Sequence, residues 1–193
     1  LSAISRYHAT TRGAPNFAYD LCVRQISREE REQLDLSSWS VAFNGAEPIH
    51  AGTLDRFADM FGPCGFKREA FYPCYGLAEA TLFVSGGERG AAPILKLAEK
   101  AALEKGEVIE TSQAGRSATR LVGCGRTAAD QQLVIVNPET FSRCLDGQVG
   151  EIWVKGASVA QGYWNHEEMT ALTFAATIAD TGEGPFLRTG DLG

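Results

Sequence analysis

Apolar positions along this chain repeat with two different periods. In the stretch from 51 to 61, Leu54, Phe57, Ala58 and Phe61 fall at i, i+3, i+4 and i+7, one face of an amphipathic helix. Gly62-Pro63 and Gly65 end it. Two short apolar runs flank the helix. Trp39-Ser40-Val41-Ala42-Phe43 breaks at Asn44-Gly45, and Ala70-Phe71-Tyr72 breaks at Pro73; both predict strands. Strand, helix and strand within about 35 residues predict a βαβ unit with parallel strands and a right-handed crossover.

Upstream, residues 1–36 read as helical. Phe17, Leu21, Cys22 and Ile26 share a face, Asn16 after Pro15 suits an N-cap, and Ser27 with Glu30 forms a capping box for a short polar helix through Leu34. Downstream, Gly86-Gly87, Gly90 and Pro93 open a stretch of different composition. It contains a helical run over 94–105 and a polar run over 111–117, and it reads as an inserted surface excursion. From Thr119 on, strands are predicted at 120–124, 133–136 and, after an Asp146-Gly147 turn, 149–155. Asn165 with Glu168 caps a short helix ending at Phe174. The expected fold is α/β: a βαβ unit with parallel strands, followed by an antiparallel β subdomain. The expected domains are 1–118, an α/β portion with an insertion at about 87–118, and 119–193, a β-rich, barrel-like portion.

Composition narrows the function classes. The 193 residues are 44% hydrophobic and 22% charged, ordinary for a globular chain and unlike a disordered one. Eighteen Lys and Arg against 24 Asp and Glu give a net charge of −6, which offers no electrostatic footprint for nucleic acid or anionic lipid. No run approaches the roughly 18 apolar residues of a membrane span, and no signal peptide is visible. The five cysteines, Cys22, Cys64, Cys74, Cys124 and Cys144, form no C-x-x-C pair. Reduced thiols in the cytoplasm are therefore expected. The chain begins at Leu1 and stops in mid-pattern at Gly193, so it reads as the central piece of something longer, with flanking parts absent.

Two motifs fail their context. Gly123-Cys124-Gly125-Arg126-Thr127-Ala128 matches a dinucleotide fingerprint, but the next strand, at 133–136, leaves no room for the helix that motif must open. A tight turn is the better reading. Gly156-Ala157-Ser158-Val159-Ala160 approaches a nucleophile elbow, but the His that must follow its acid is missing.

A constellation at the strand ends survives. In an open α/β sheet, ligands bind beyond the carboxyl ends of the strands. The βαβ strands end in Asn44-Gly45-Ala46-Glu47-Pro48 and in Pro73-Cys74-Tyr75-Gly76-Leu77-Ala78-Glu79. The first loop offers small residues whose backbone a flat ring can approach. The second offers an aromatic ring and a carboxylate able to hold Mg²⁺ against phosphates. Singly, Tyr75 is better explained as a core ring and Glu79 as a solvated carboxylate; together at one sheet edge they favour a site.

Three segments resemble motifs of the acyl- and aminoacyl-adenylate-forming superfamily. They are Tyr75-Gly76-Leu77-Ala78-Glu79, then Gly150-Glu151-Ile152-Trp153-Val154-Lys155-Gly156 running on to Gly162-Tyr163-Trp164, then Leu187-Arg188-Thr189-Gly190-Asp191-Leu192. Pro15-Asn16-Phe17-Ala18-Tyr19-Asp20, Phe43-Asn44-Gly45-Ala46-Glu47-Pro48, Phe71-Tyr72-Pro73-Cys74 and the segment after Gly86-Gly87 look like its fatty acyl-AMP ligase branch. The resemblance spans essentially the whole chain. It implies activation of a fatty acid by ATP to acyl-AMP and transfer of the acyl group to an acyl carrier protein. Mapped here, it implies that Tyr75 stacks on adenine, with Asn44, Gly45, Ala46 and Glu47 on the facing side and Gly76, Leu77 and Ala78 beside the nucleotide. Glu79 would act at the catalytic centre and hold Mg²⁺ on the ATP phosphates, Asp191 would take the ribose hydroxyls, and Phe17, Tyr19 and the Asn44 loop would approach the acyl pocket. Ala78 stands where the superfamily more often has Thr, as is usual in this branch. No glycine-rich T-S-G-[ST]-T-G phosphate loop and no lysine in the family's catalytic motif occur in the sequence. A long-chain acyl-CoA ligase and a non-catalytic nucleotide- or carrier-binding module are the alternatives.

Overall fold

The structure, a computed structural model, describes residues 1–127 and 130–193. They group into two units: Leu1–Tyr75 with Ser85–Lys96 and Arg120–Arg126, and Gly76–Val84 with Leu97–Thr119 and Thr127–Gly193. The segments of the two units interleave along the chain.

In the first unit the predicted βαβ is present. Strand β2 (Val41–Asn44) leads into helix α4 (Ala51–Phe61) and then β3 (Phe71–Tyr75), and β2 and β3 pair in parallel with Asn44 opposite Pro73. Pro73 interrupts the apolar run without ending the strand: its carbonyl accepts the Gly87 N–H at 3.0 Å, on the short strand β4 (Ser85–Gly86) side. The helix buries Leu54, Phe57 and Phe61, the face its spacing marks. Phe57 meets the rings of Phe61, Phe66, Tyr19 and Phe71 with centroids 4.5 to 5.9 Å apart. Such ring pairs each add about 0.5–1.5 kcal/mol beyond area burial.

The first 36 residues are less helical than their spacing predicts. Helices α1 (Ser2–Tyr7), α2 (Asn16–Gln25) and α3 (Arg28–Arg31) are separated by β1 (Thr11–Ala14), which pairs in parallel with β2. Thr11-Arg12-Gly13-Ala14 carries no apolar alternation, and pairing with β2 is what makes it a strand. The capping box forms: the Glu30 N–H donates to Ser27 Oγ, and the Ser27 N–H donates to Glu30 Oε2. Asn16 does not cap α2; Pro15 holds that position. Instead buried Asn16 accepts the His50 N–H at 3.1 Å and donates to Thr53 Oγ1 at 3.4 Å, tying α2 to the start of α4.

The helical run expected over 94–105 is mostly strand. Strand β5 (Leu95–Glu99) pairs with β6 (Ala118–Val122), and only α5 (Lys100–Leu103) is helical. The apolar residues there satisfy both periods, and the partner strand selects the extended one. The chain passes between the units within β5 and β6. Strand β7 (Arg126–Thr127) closes the first sheet, ordered β1-β2-β3-β4-β7. Gly125 has φ +75°, as a tight turn requires; Ala128, the last residue of the dinucleotide-like match, lies outside the described residues.

The second unit holds the antiparallel sheet β10-β9-β8, made of β8 (Gln131–Val136), β9 (Glu151–Gly156) and β10 (Leu187–Leu192). Trp153 on β9 packs with Val134, Val136, Ile178 and Phe186. Within this unit the excursion is fastened to the 147–149 turn: Val108 N–H donates to the Gly147 carbonyl and Val149 N–H to the Gly106 carbonyl. Helix α6 (Glu167–Phe174) forms, but His166 takes the N-cap position and Asn165 adopts φ +55° before it. Among the described residues no helix is long and apolar enough to cross a membrane.

Candidate functional site

The parallel register of β2 and β3 ends both strands at one edge of the first unit's sheet. Just beyond β2, a Cβ on Gly45 would lie 2.8 Å from the Cys74 carbonyl oxygen and 2.9 Å from its Sγ. Only glycine allows that approach, and it seats the loop against the residue before Tyr75. The Cys74 thiol donates to the Asn44 carbonyl at 3.4 Å. Ala46 follows at φ +68°, a left-handed conformation that costs a non-glycine residue on the order of 1 kcal/mol. Tyr75 is half-buried opposite Ser85 of β4.

Asn44 is fully buried, and neither end of its carboxamide has a hydrogen-bond partner among the described residues. Leaving such a group unsatisfied costs about 1–3 kcal/mol, so the position is open to a partner atom beyond the described residues.

Glu47 is exposed, and its Oε1 accepts the Phe17 N–H in the first turn of α2 at 2.5 Å. Its carboxylate therefore supplies the cap that Asn16 does not. Phe17 and Glu47 line an open cleft of about 520 Å³ with Asp20, His50, Thr53 and Arg56. Tyr19, expected beside that surface, is 3% exposed; it sits in the aromatic core and its hydroxyl donates to the Phe43 carbonyl at 2.8 Å. Burial drives its pKa well above the usual phenol range. All five cysteines are unbridged, and burial raises the Cys74 and Cys124 thiols.

The second unit carries Glu79. A Cβ on Gly76 would lie 1.4 Å from the Leu82 carbonyl oxygen, so glycine alone permits the tight 76–82 loop, in which the Leu82 N–H donates to the Leu77 carbonyl. Half-buried Glu79 lies in a 3-10 turn over Ala78–Ala80. Its Oε1 accepts the Tyr163 hydroxyl at 2.8 Å, and its backbone carbonyl accepts the Ala160 N–H at 2.7 Å. Tyr163 is held in turn: its N–H donates to Thr170 Oγ1, and its ring meets Phe174 edge-on at 5.1 Å. The bond to Glu79 raises the Tyr163 pKa. Among the described residues no set of three His, Cys, Asp or Glu side chains gathers at metal-binding distance. Glu79 is thus a single carboxylate, fit for Mg²⁺ only where phosphates supply further oxygens.

Asp191, also in the second unit, is exposed at the end of β10, and its N–H donates to Thr189 Oγ1. Sequence reasoning quoted the segments holding Tyr163, Glu151 and Arg188 but gave these side chains no task. Their presence in the motifs was the available signal; their partners lie 84 and 37 positions away along the chain.

Residues 1–164 match the family described as AMP-binding enzyme. The medium-chain-fatty-acid–[acyl-carrier-protein] ligase JamA of Moorena producens is 50% identical over 196 residues, which cover all of this chain and 33% of the relative. The corresponding ligase TtuA of Teredinibacter turnerae is 44% identical, over all of this chain and 31% of the relative. A crystal structure of the fatty acyl-adenylate ligase of Legionella pneumophila, in complex with acyl adenylate and pyrophosphate, superposes with a TM-score of 0.94 at 46% identity, covering all of this chain and 33% of that one. The chain spans about a third of the length of the curated relatives it matches.

Proposed function

The chain belongs to the AMP-binding enzyme family, and from that premise we propose that it is part of a fatty acyl-AMP ligase of the cytoplasm. The reaction joins a fatty acid carboxylate to the α-phosphate of ATP with release of pyrophosphate, and the acyl group then passes to the thiol of an acyl carrier protein. The 1–118 portion contributes to the α/β subdomain, with 87–118 as an insertion, and 119–193 contributes to a β-rich subdomain.

The observation that carries this reading is the strand-end arrangement. The parallel register of β2 and β3 brings Asn44-Gly45-Ala46-Glu47 and Tyr75 to one sheet edge, where the small loop residues leave room for a flat ring. In this reading Tyr75 stacks on adenine and the Asn44–Glu47 loop forms the opposite side, with the unpartnered Asn44 amide a reason to expect a ligand there. Gly76, Leu77 and Ala78 lead to Glu79, the residue that would hold Mg²⁺. When bound, the ion would neutralise charge on the ATP phosphates. Asp191 accepts hydrogen bonds from the ribose hydroxyls, as a carboxylate can. Phe17 lies toward the acyl side; core-buried Tyr19 acts there only by supporting the aromatic cluster beneath it.

The test is fatty-acid-dependent ATP–pyrophosphate exchange by the full-length protein, with CoA and carrier protein compared as acceptors. Glu79→Gln should reduce Mg²⁺-dependent exchange far more than AMP binding, because AMP lacks the phosphates the ion bridges. Equal losses for both would remove Glu79 from this role, and transfer to CoA alone would favour an acyl-CoA ligase.

A further inference from the structure

Glu151 opens β9 and is 5% exposed, a placement in which a carboxylate needs every partner it can find. Its Oε2 accepts from Arg188 Nε at 3.1 Å and Nη2 at 3.0 Å, while Oε1 accepts the Gly190 N–H at 3.1 Å. The Arg188 guanidinium also lies over the rings of Phe141 and Trp153, 5.0 and 5.8 Å from their centroids. Between Arg188 and Leu192 the β9–β10 register shifts. Thr189 donates to the Ile152 carbonyl at 2.7 Å and accepts the Asp191 N–H at 3.1 Å, and Gly190 turns at φ +75°. Irregularities of this kind re-aim a side chain, and exposed Asp191 lies within this one.

An ion pair with a buried carboxylate is a poor device for stability alone, since apolar residues of similar volume often serve as well. A planar guanidinium held by a forked contact and two rings, however, fixes a direction. We propose that Glu151 and Arg188 are positioning residues that hold the 188–191 turn so that the Asp191 carboxylate is set for the 2′,3′-diol of a ribonucleotide, making this pair a determinant of ribose over deoxyribose selectivity. The proposal rests on Asp191 as the ribose ligand.

The experiment uses the full-length protein and measures equilibrium dissociation constants for AMP and 3′-deoxy-AMP. These need neither metal nor turnover. The readout is the ratio of the two constants, which a general loss of stability does not move. Asp191→Asn should lower the ratio by roughly tenfold, the worth of one charge-assisted hydrogen bond, and Glu151→Gln should lower it in the same direction. Ile178→Ala, a core change in the same unit, should lower the melting temperature and leave the ratio alone. If Glu151→Gln behaves like Ile178→Ala, the positioning role is overturned. An unchanged ratio in Asp191→Asn overturns the ribose reading itself, and the proposal with it. Should Glu151→Gln fail to fold, Arg188→Lys decides by the same criterion: it keeps the charge while losing the fork and the ring contacts.

Discussion

Tyr75 ends β3 half-buried, and the proposed adenine contact is a stacking one. Base–aromatic stacking is worth about 1–3 kcal/mol per base by alanine substitution. Tyr75→Ala in the full-length protein should therefore weaken AMP binding by that amount, as calorimetry would record; unchanged affinity would place adenine elsewhere. Glu151 makes a prediction about acid. Burial pushes its carboxyl pKa up, but the hydrogen-bonded Arg188 guanidinium and the Gly190 N–H outweigh burial and hold it below the ordinary value of 4.5. A depressed folded-state pKa contributes stability that is fully present above the unfolded value and lost as pH falls through the folded one. The stability difference between wild type and Glu151→Gln should accordingly be constant near neutrality and shrink below about pH 4.5. Urea titrations across that range check it. A gap that stays constant into acid would show that the charge is not what Arg188 uses.

Among the elements, the 87–118 excursion contains β5 and α5, and its 97–118 part is fastened to the 147–149 turn of the second unit through Gly106 and Val108. Ala98 and Ala102 are buried within it, so it is a packed element, unlike a loose loop. If it restrains the enzyme against CoA transfer, deleting 87–118 should raise acyl-CoA formation relative to acyl transfer to carrier protein. The deletion must first be seen to fold by circular dichroism. A folded deletion that still leaves CoA unused would remove the excursion as the determinant of the acceptor.

At the level of the whole molecule, the 193 residues hold Tyr75, Glu79 and Asp191, proposed for base, metal and ribose, but contain no T-S-G-[ST]-T-G phosphate loop. Charge develops on phosphate oxygens in the transition state, and catalysis needs donors already aimed at them. Reactants must also be held in line. Purified residues 1–193 should therefore give no ATP–pyrophosphate exchange above background with a long-chain fatty acid. Exchange abolished by Glu79→Gln would show that these residues alone suffice.

The amino-acid sequence by itself determined the βαβ unit, the capping box at Ser27 and Glu30, and the strand-rich second half. In each, the apolar period or the cap chemistry is local, and one reading satisfies it. The motif order likewise marked Tyr75, Glu79 and Asp191 as candidates. Tertiary structure decided what local chemistry leaves open. Thr11–Ala14 became a strand because β2 offered it a ladder. Leu95–Glu99 became extended because β6 outweighed an equally good helical period. Asn16 gave up its cap to bind the start of α4, while Glu47, 30 residues beyond Phe17, took over that residue's first-turn N–H of α2. Tyr19 was drawn into the core by rings that the chain places far from it. The links from Tyr163 to Glu79 and from Glu151 to Arg188 are long-range for the same reason: a charged or phenolic side chain is matched by whatever donor the folded backbone brings within about 3 Å, and no spacing in the sequence encodes that meeting.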